Sequence, residues 1–144
     1  MSKIFIDTNI LVYSMDRHDP EKREKCRSGL TALTRRDKGV ISTQVLQEFY
    51  VACTKKLGAD PLIVKNILQS FIHFELVIIT PEIIQSAIDI SILNALSFWD
   101  ALIVSAAISA NCEKIWTEDL NSGQMIRGVM LENPIENGHV KEIY

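Results

Sequence analysis

The sequence predicts an α/β fold, in which a central parallel sheet of four to five strands is flanked by helices on both faces. Short apolar runs alternate along the chain with longer segments that have helical periodicity. Helix start signals such as Asp19-Pro20-Glu21 and Thr80-Pro81-Glu82 recur between these runs. Strands that alternate with helices favour a parallel, doubly wound sheet.

The first half of the chain is expected to contain two strands and three helices. Ile4-Phe5-Ile6 is a short apolar run typical of a buried strand, and it stops abruptly at Asp7. Thr43 has the side chain of a helix N-cap, and Asp37-Lys38-Gly39 is a turn signal. These signals place strands at residues 4–6 and 40–42, and helices after residue 10, at 21–36 and at 44–57.

The second half is expected to continue the alternation. Gly58-Ala59-Asp60-Pro61 separates two helices, and the Gly-containing loop Asn121-Ser122-Gly123 precedes the last strand. The pattern places helices at 62–74, from Thr80 to about 95 and at 97–110, with strands at 76–79, 114–116 and near 129–131.

Length and composition indicate one globular domain, expected at residues 1–136, with a polar C-terminal tail at 137–144. The 144 residues are 47% hydrophobic and 23% charged, which is an ordinary balance for such a domain. The longest uncharged run, residues 101–112, is too short to span a bilayer. The N-terminal apolar region is too short for a signal peptide and is cut by a charge. We therefore expect no membrane association.

The chain has three widely spaced cysteines and no C-x-x-C pair. They are Cys26, Cys53 and Cys112. This pattern indicates reduced thiols rather than a disulfide or zinc framework, so a cytoplasmic protein is expected.

Positive charge is concentrated in the first part of the chain, although the formal net charge is −3. Residues 1–56 carry 11 Lys and Arg against 7 Asp and Glu, whereas residues 57–144 carry 4 against 11. Such a region could bind phosphates, and a solvated helix face is the alternative. The candidate residues for such phosphate contacts are Arg17, Lys22, Arg23, Arg35 and Arg36.

Four carboxylates occupy positions that a parallel sheet would bring to one edge. Asp7 and Asp119 follow strands, while Glu48 and Asp100 lie on the apolar faces of helices. Carboxylates at such positions are costly unless they are paired or bind metal. Each also has a structural explanation, which is a helix cap for Asp7 and Asp100, a boundary residue for Glu48 and a turn for Asp119.

Four clustered carboxylates require a compensating cation or the protonation of some members. Two like charges about 4 Å apart repel by about 4 kcal/mol at an effective dielectric constant near 20. Oxygen ligands without His or Cys select Mg²⁺ or Mn²⁺. A hard metal ion that retains water can activate it as a nucleophile, which makes phosphodiester hydrolysis the natural reaction class.

The chain resembles the PIN-domain family, and particularly its small single-domain toxin ribonucleases of the VapC type. The resemblance extends from about Ile4 to Pro134 and rests on four landmarks in order. They are Phe5-Ile6-Asp7-Thr8-Asn9-Ile10-Leu11, Gln47-Glu48-Phe49, Phe98-Trp99-Asp100-Ala101-Leu102-Ile103 and Trp116-Thr117-Glu118-Asp119-Leu120.

The resemblance implies a PIN-like fold and a metal-dependent endoribonuclease, the toxin of a type II toxin–antitoxin pair. It also implies an RNA substrate, an antitoxin partner and a homodimer. Asp7, Glu48, Asp100 and Asp119 would hold one or two Mg²⁺ or Mn²⁺ ions. Supporting roles would fall to Thr8, Asn9 and Thr117, while Glu118 competes with Asp119 as the fourth acid.

Rival functions match the sequence less well. A haloacid-dehalogenase-type phosphatase would need a second Asp two residues after Asp7, where Asn9 stands. A phospho-accepting receiver domain would need a Lys beyond a late strand, and Lys114 lies at the wrong end. The remaining alternative is a catalytically silent PIN-like module that binds RNA or protein.

Overall fold

The structure is a computed structural model that describes residues 2–135 of the chain. Its strands are β1 (Ile4–Ile6), β2 (Gly39–Ser42), β3 (Glu75–Val77), β4 (Lys114–Trp116), β5 (Met125–Ile126) and β6 (Val129–Glu132). Its helices are α1 (Thr8–Tyr13), α2 (Pro20–Arg35), α3 (Thr43–Lys55), α4 (Pro61–Ser70), α5 (Pro81–Asn94) and α6 (Phe98–Ser109). A 3₁₀ turn (Phe71–His73) follows α4.

The described strands form a single mixed sheet in the order β3-β2-β1-β4-β6-β5. The first five in this order are parallel neighbours, and β5 runs antiparallel to β6. The predicted α/β fold with a parallel sheet is therefore confirmed. The sequence prediction missed β5, because a two-residue strand leaves too short a pattern to detect.

The chain reverses its direction across the sheet at β1. From β1 it moves to β2 and β3 on one side, and it then crosses back to β4 on the other side. Right-handed connections place α1 to α4 on one face and α5 with α6 on the opposite face. The packing agrees, because α1 contacts α2 and α3, whereas α5 contacts α6. The carboxyl ends of β1 and β4 thus flank a topological switch point, where open α/β sheets bind ligands.

Helix caps account for most of the element boundaries. Asp19, Asp60, Thr80 and Ser97 each accept a backbone N–H of the helix that follows. One predicted cap was wrong by a residue, since Ser42 rather than Thr43 caps α3. The Thr43 hydroxyl instead accepts the N–H of Ile79. The helix predicted at 62–74 ends earlier, at Ser70, and continues as the 3₁₀ turn.

The core lies between the sheet and both helix layers. All three residues of β1 are buried, and so is every residue of α6 from Ala101 to Ala107. The three cysteines are free and buried, and burial raises the pKa of the Cys26 and Cys112 thiols to about 12.

No single helix in the described part of the chain has the length and apolar character to cross a membrane. Only α5 and α6 taken together have enough apolar length, and the chain bends by 119° between them. The end of the predicted domain at residue 136 and the predicted tail at 137–144 lie outside the described residues.

Candidate active site

Asp7 lies at the carboxyl end of β1, between the strand and α1. Its backbone N–H donates to the carbonyl of Trp116, which fixes it beside the end of β4. Its Oδ1 accepts the backbone N–H of Thr8 at 2.7 Å, which makes Asp7 the N-cap of α1. Its Oδ2 accepts the hydroxyl of Thr117 at 2.8 Å. Both carboxylate oxygens are thus held in place, and the residue is only 6% exposed.

The electrostatic environment of Asp7 is unfavourable for its negative charge. Burial raises the pKa of its carboxyl group to about 6, and the charges of Glu48 and Asp119 act in the same direction. The hydrogen bonds from Thr117 and Thr8 oppose this rise in pKa. Both of these neighbouring charges are negative, so they add to the effect of burial on Asp7.

Glu48 reaches the same site from α3. Its Oε1 accepts the hydroxyl of Thr8 at 2.8 Å, and its Oε2 lies 3.5 Å from Nε2 of Gln44 one turn earlier. Thr8 therefore links the two acids, because its backbone N–H binds Asp7 and its side chain binds Glu48.

The two neighbouring acids after β4 face different surroundings. The carboxylate of Glu118 accepts the hydroxyl of Tyr13 at 2.8 Å and pairs with Lys22 at 3.2 Å. Asp119 lines the same cleft as Asp7, and its backbone N–H donates to the Thr117 hydroxyl oxygen at 3.2 Å. This arrangement favours Asp119 over Glu118 as the fourth acid.

Asn9 connects this loop to α1. Its Oδ1 accepts the backbone N–H of Glu118 at 3.4 Å. Its amide nitrogen is buried and has no hydrogen-bond partner among residues 2–135.

Asp100 lies in the first turn of α6. Its backbone N–H donates to Oγ of Ser97 at 3.1 Å, as expected of a helix cap. Within residues 2–135 its carboxylate has no hydrogen bond or ion pair, and it does not line the cleft. The preceding residue is linked to α3, because Nε2 of Gln44 donates a hydrogen bond of 3.2 Å to the carbonyl of Trp99.

The acids Asp7, Glu48 and Asp119 open into a cleft of about 660 Å³ between α1 and α3. Apolar side chains form much of its wall, and Lys55 and Lys56 lie at the end of α3. The residues of this wall were not among the predicted site residues. The helical spacing from Glu48 through Val51 and Ala52 to Lys55 was the signal that could have identified it.

The predicted RNA-binding residues do not share one location. Lys22 is paired with Glu118 and lies over the ring of Tyr13, 4.5 Å from its centroid. Arg35 and Arg36 end α2 just before β2, at the amino edge of the sheet. The length of a strand, roughly 10 Å, separates them from the acids at the carboxyl edge.

The donor set suits a hard divalent ion, although the described side chains do not form a complete protein cage. All the acids offer oxygen, which Mg²⁺ and Mn²⁺ prefer. In residues 2–135, no three His, Cys, Asp or Glu side chains are close enough together to bind one ion. Mg²⁺ commonly binds one or two carboxylates and keeps several waters, so Asp7 and its neighbours fit that mode.

The fold is similar to that of proteins in toxin–antitoxin structures. Mycobacterium tuberculosis VapC20, described as a toxin that cleaves the sarcin–ricin loop, has a TM-score of 0.66 and 15% identity, covering 81% of this chain and 90% of that one. A chain of DNA-bound VapBC from Salmonella typhimurium has a TM-score of 0.66 and 21% identity, covering 92% and 98%. A chain of VapBC2 from Rickettsia felis, bound to a promoter DNA fragment, has a TM-score of 0.64 and 22% identity, covering 90% and 97%.

A family model matches the sequence, although none of the curated proteins compared with the chain matches it. The family model of the PIN domain matches residues 4–124, which include β1, the cleft and all four acids. The chain therefore belongs to the PIN-domain family, as the sequence analysis predicted.

Proposed function

We propose that this protein is a metal-dependent endoribonuclease that hydrolyses RNA phosphodiester bonds. The proposal rests chiefly on Asp7, a buried carboxylate at the switch point of the sheet whose neighbouring charges are negative. A site of this kind is stabilised by a divalent cation. Membership of the PIN-domain family and the similarity to a toxin that cleaves the sarcin–ricin loop support RNA as the substrate.

The acids that would hold the cation, together with the waters that it retains, are Asp7, Glu48, Asp100 and Asp119. When bound, Mg²⁺ or Mn²⁺ would supply an activated water and neutralise charge on the phosphate. Thr117 and Thr8 fix both oxygens of Asp7. This carboxylate therefore needs little conformational change to bind a cation.

Thr8 orients Glu48 as well. Its hydroxyl donates a hydrogen bond to Oε1 of Glu48, which leaves Oε2 with only the long contact to Gln44. Glu48 is therefore positioned to offer Oε2 to a cation or to a water in the cleft.

The biological setting that we propose is a type II toxin–antitoxin pair in the cytoplasm. Two of the similar structures are VapBC assemblies, which supports an antitoxin partner, and we propose that the toxin is a homodimer. Three buried, free thiols are compatible with a reducing compartment.

The test is cleavage of total cellular RNA by the purified protein in EDTA, in Mg²⁺ and in Mn²⁺. Cleavage is expected only with metal, and Asp7→Asn and Asp100→Asn should each lower its rate by at least about a hundredfold. Sequencing of the fragment ends would then define the target.

The matched control is Asp89→Asn, the same chemical change at an exposed position on α5. This variant should cleave like the unmodified protein. Cleavage in EDTA, or normal cleavage by Asp7→Asn, would contradict the proposal. RNA binding without cleavage under any metal would favour the silent RNA-binding module.

A further inference from the structure

One face of α3 connects the acids to a pair of lysines. Glu48 and Lys55 are seven residues apart, so they lie on the same side of the helix and about 10 Å apart along its axis. Val51 and Ala52 lie between them and line the same cleft. The cleft is therefore a groove with carboxylates at one end, an apolar floor and ammonium groups at the other end.

The lysines at the end of this groove are available to a ligand. Lys55 and Lys56 are exposed, and neither has an ion pair or hydrogen bond with a side chain in the described residues 2–135. By contrast, Lys22 is paired with Glu118 and Lys114 with the buried Glu132. The charges of Lys55 and Lys56 are thus the uncompensated positive charges of the groove.

We propose that Lys55 and Lys56 bind backbone phosphates of a single-stranded RNA segment that runs along α3 from the acids. This inference rests on the proposed ribonuclease function and adds to it the path of the substrate. A stacked strand rises about 3.4 Å per nucleotide along its axis, so the lysines would contact phosphates about three nucleotides from the scissile bond. The floor of Val51 and Ala52 is aliphatic, so it can cover the apolar faces of bases without acting as an aromatic stacking platform.

Helix stabilisation alone does not explain the two lysines. A cation in the last turn of a helix interacts favourably with the helix dipole by about 0.3–1 kcal/mol. That effect requires a lysine near the C-terminus of α3, but it does not depend on which side the lysine faces. Lys55 lies on the side of Glu48, and both lysines line the cleft.

A nucleic acid suits the lysine end of the groove better than an acidic protein segment. The opposite end contains Asp7, Glu48 and Asp119, with Asp16 on the wall, so an acidic peptide would be repelled there. A divalent cation held by these acids, as in the proposed function, would neutralise the charge of a phosphate beside them.

The experiment is binding of a fluorescein-labelled, mixed-sequence, single-stranded 12-nucleotide RNA, measured by anisotropy in EDTA over a range of KCl concentrations. Lys55→Ala and Lys56→Ala should each reduce the slope of log affinity against log salt by about 0.7, which corresponds to about fivefold weaker binding at 0.1 M salt. The double variant should combine both losses. Lys55→Arg and Lys56→Arg should retain the slope of the unmodified protein, because they keep the charge.

The control is Lys65→Ala, which removes an exposed lysine on α4 outside the groove. It should leave both the affinity and the slope unchanged. Thermal unfolding of every variant separates loss of binding from loss of folding. An unchanged slope in the folded double variant would overturn the proposal and leave the lysines with a helix-capping or protein-binding role.

The binding measurement does not depend on cleavage. If the unmodified protein fails to cut RNA in Mg²⁺ or Mn²⁺ but the lysine variants lose slope, the RNA path stands and the ribonuclease function fails. If the protein cuts RNA and the slopes are equal, the ribonuclease function stands and the path along α3 is wrong.

Discussion

The hydroxyl of Thr117 donates a hydrogen bond of 2.8 Å to Oδ2 of Asp7 and so joins the carboxyl ends of two neighbouring parallel strands. The same hydroxyl oxygen accepts the backbone N–H of Asp119 at 3.2 Å. Thr117 is completely buried. One side chain thus sets the positions of both strand-end acids.

Thr117→Val should raise the pKa of Asp7 above its value of about 6 in the metal-free protein. The hydrogen bond from Thr117 favours the ionised carboxylate, and valine has a similar shape without the donor. The measurement is a ¹³C NMR titration of the Asp7 carboxyl carbon in EDTA. Thr117→Ser, which retains the hydroxyl, is the control and should titrate near the original value. An unchanged pKa in the valine variant would show that the bond contributes nothing to the ionisation of Asp7.

Asp7→Asn should stabilise the metal-free protein at neutral pH while it removes activity. The folded-state pKa of about 6 lies above the ordinary value of 3.8, so the folded state binds the proton more tightly than the unfolded state. The free energy of unfolding therefore falls as pH rises between these two values, by up to about 3 kcal/mol. Asparagine is uncharged and avoids this cost.

Urea unfolding in EDTA at pH 7.5 and at pH 4 tests this effect. The gain in stability should be clear at pH 7.5 and nearly absent at pH 4, where Asp7 is protonated in the folded state. Asp89→Asn, on the exposed side of α5, should show no such difference. An Asp7→Asn protein that is less stable at pH 7.5 would contradict the unfavourable electrostatics of the site.

Glu118→Gln and Asp119→Asn should differ strongly in their effect on catalysis, although the residues are neighbours. The Glu118 carboxylate is occupied by Tyr13 and Lys22, so its neutralisation should leave most of the activity. It should cost under about 1 kcal/mol of stability, because the ion pair is partly exposed. Asp119→Asn should lower the cleavage rate by at least about a hundredfold. Rate measurements on both variants at saturating Mg²⁺ decide between them, and a larger loss for Glu118→Gln would reverse the assignment.

Local patterns were sufficient for the features that a few adjacent residues determine. The strand that ends abruptly at Asp7 and the helix starts near Thr80 and Ser97 lie in the structure where the sequence placed them. The cap of α3 shifted from Thr43 to Ser42, because both hydroxyl side chains can cap and only the contact between Thr43 and Ile79 separates them.

Contacts between distant residues could not be derived from the sequence. The pairing of Lys22 with Glu118 joins positions 96 residues apart, so a basic residue counted as available for RNA is engaged within the protein. Arg35 is separated from the acids because α2 ends at the amino edge of the sheet, and the acids lie at its carboxyl edge. The inclusion of Lys55 in the cleft depends on how α3 packs against α1.

Gly39→Ala should destabilise the protein by about 1–3 kcal/mol through overpacking. A Cβ atom at this position would lie 2.7 Å from Cδ1 of Phe74 and 3.3 Å from Cδ1 of Ile6. Phe74 is buried and packs on the ring of Phe71 at 5.8 Å between centroids, so it has little room to move.

The measurement is urea unfolding of Gly39→Ala, of Phe74→Leu and of the double variant. Because leucine removes the ring atoms that clash, the double variant should lose less stability than the two single losses added together. Strictly additive losses would show that the contact between Gly39 and Phe74 does not limit the packing beneath β2.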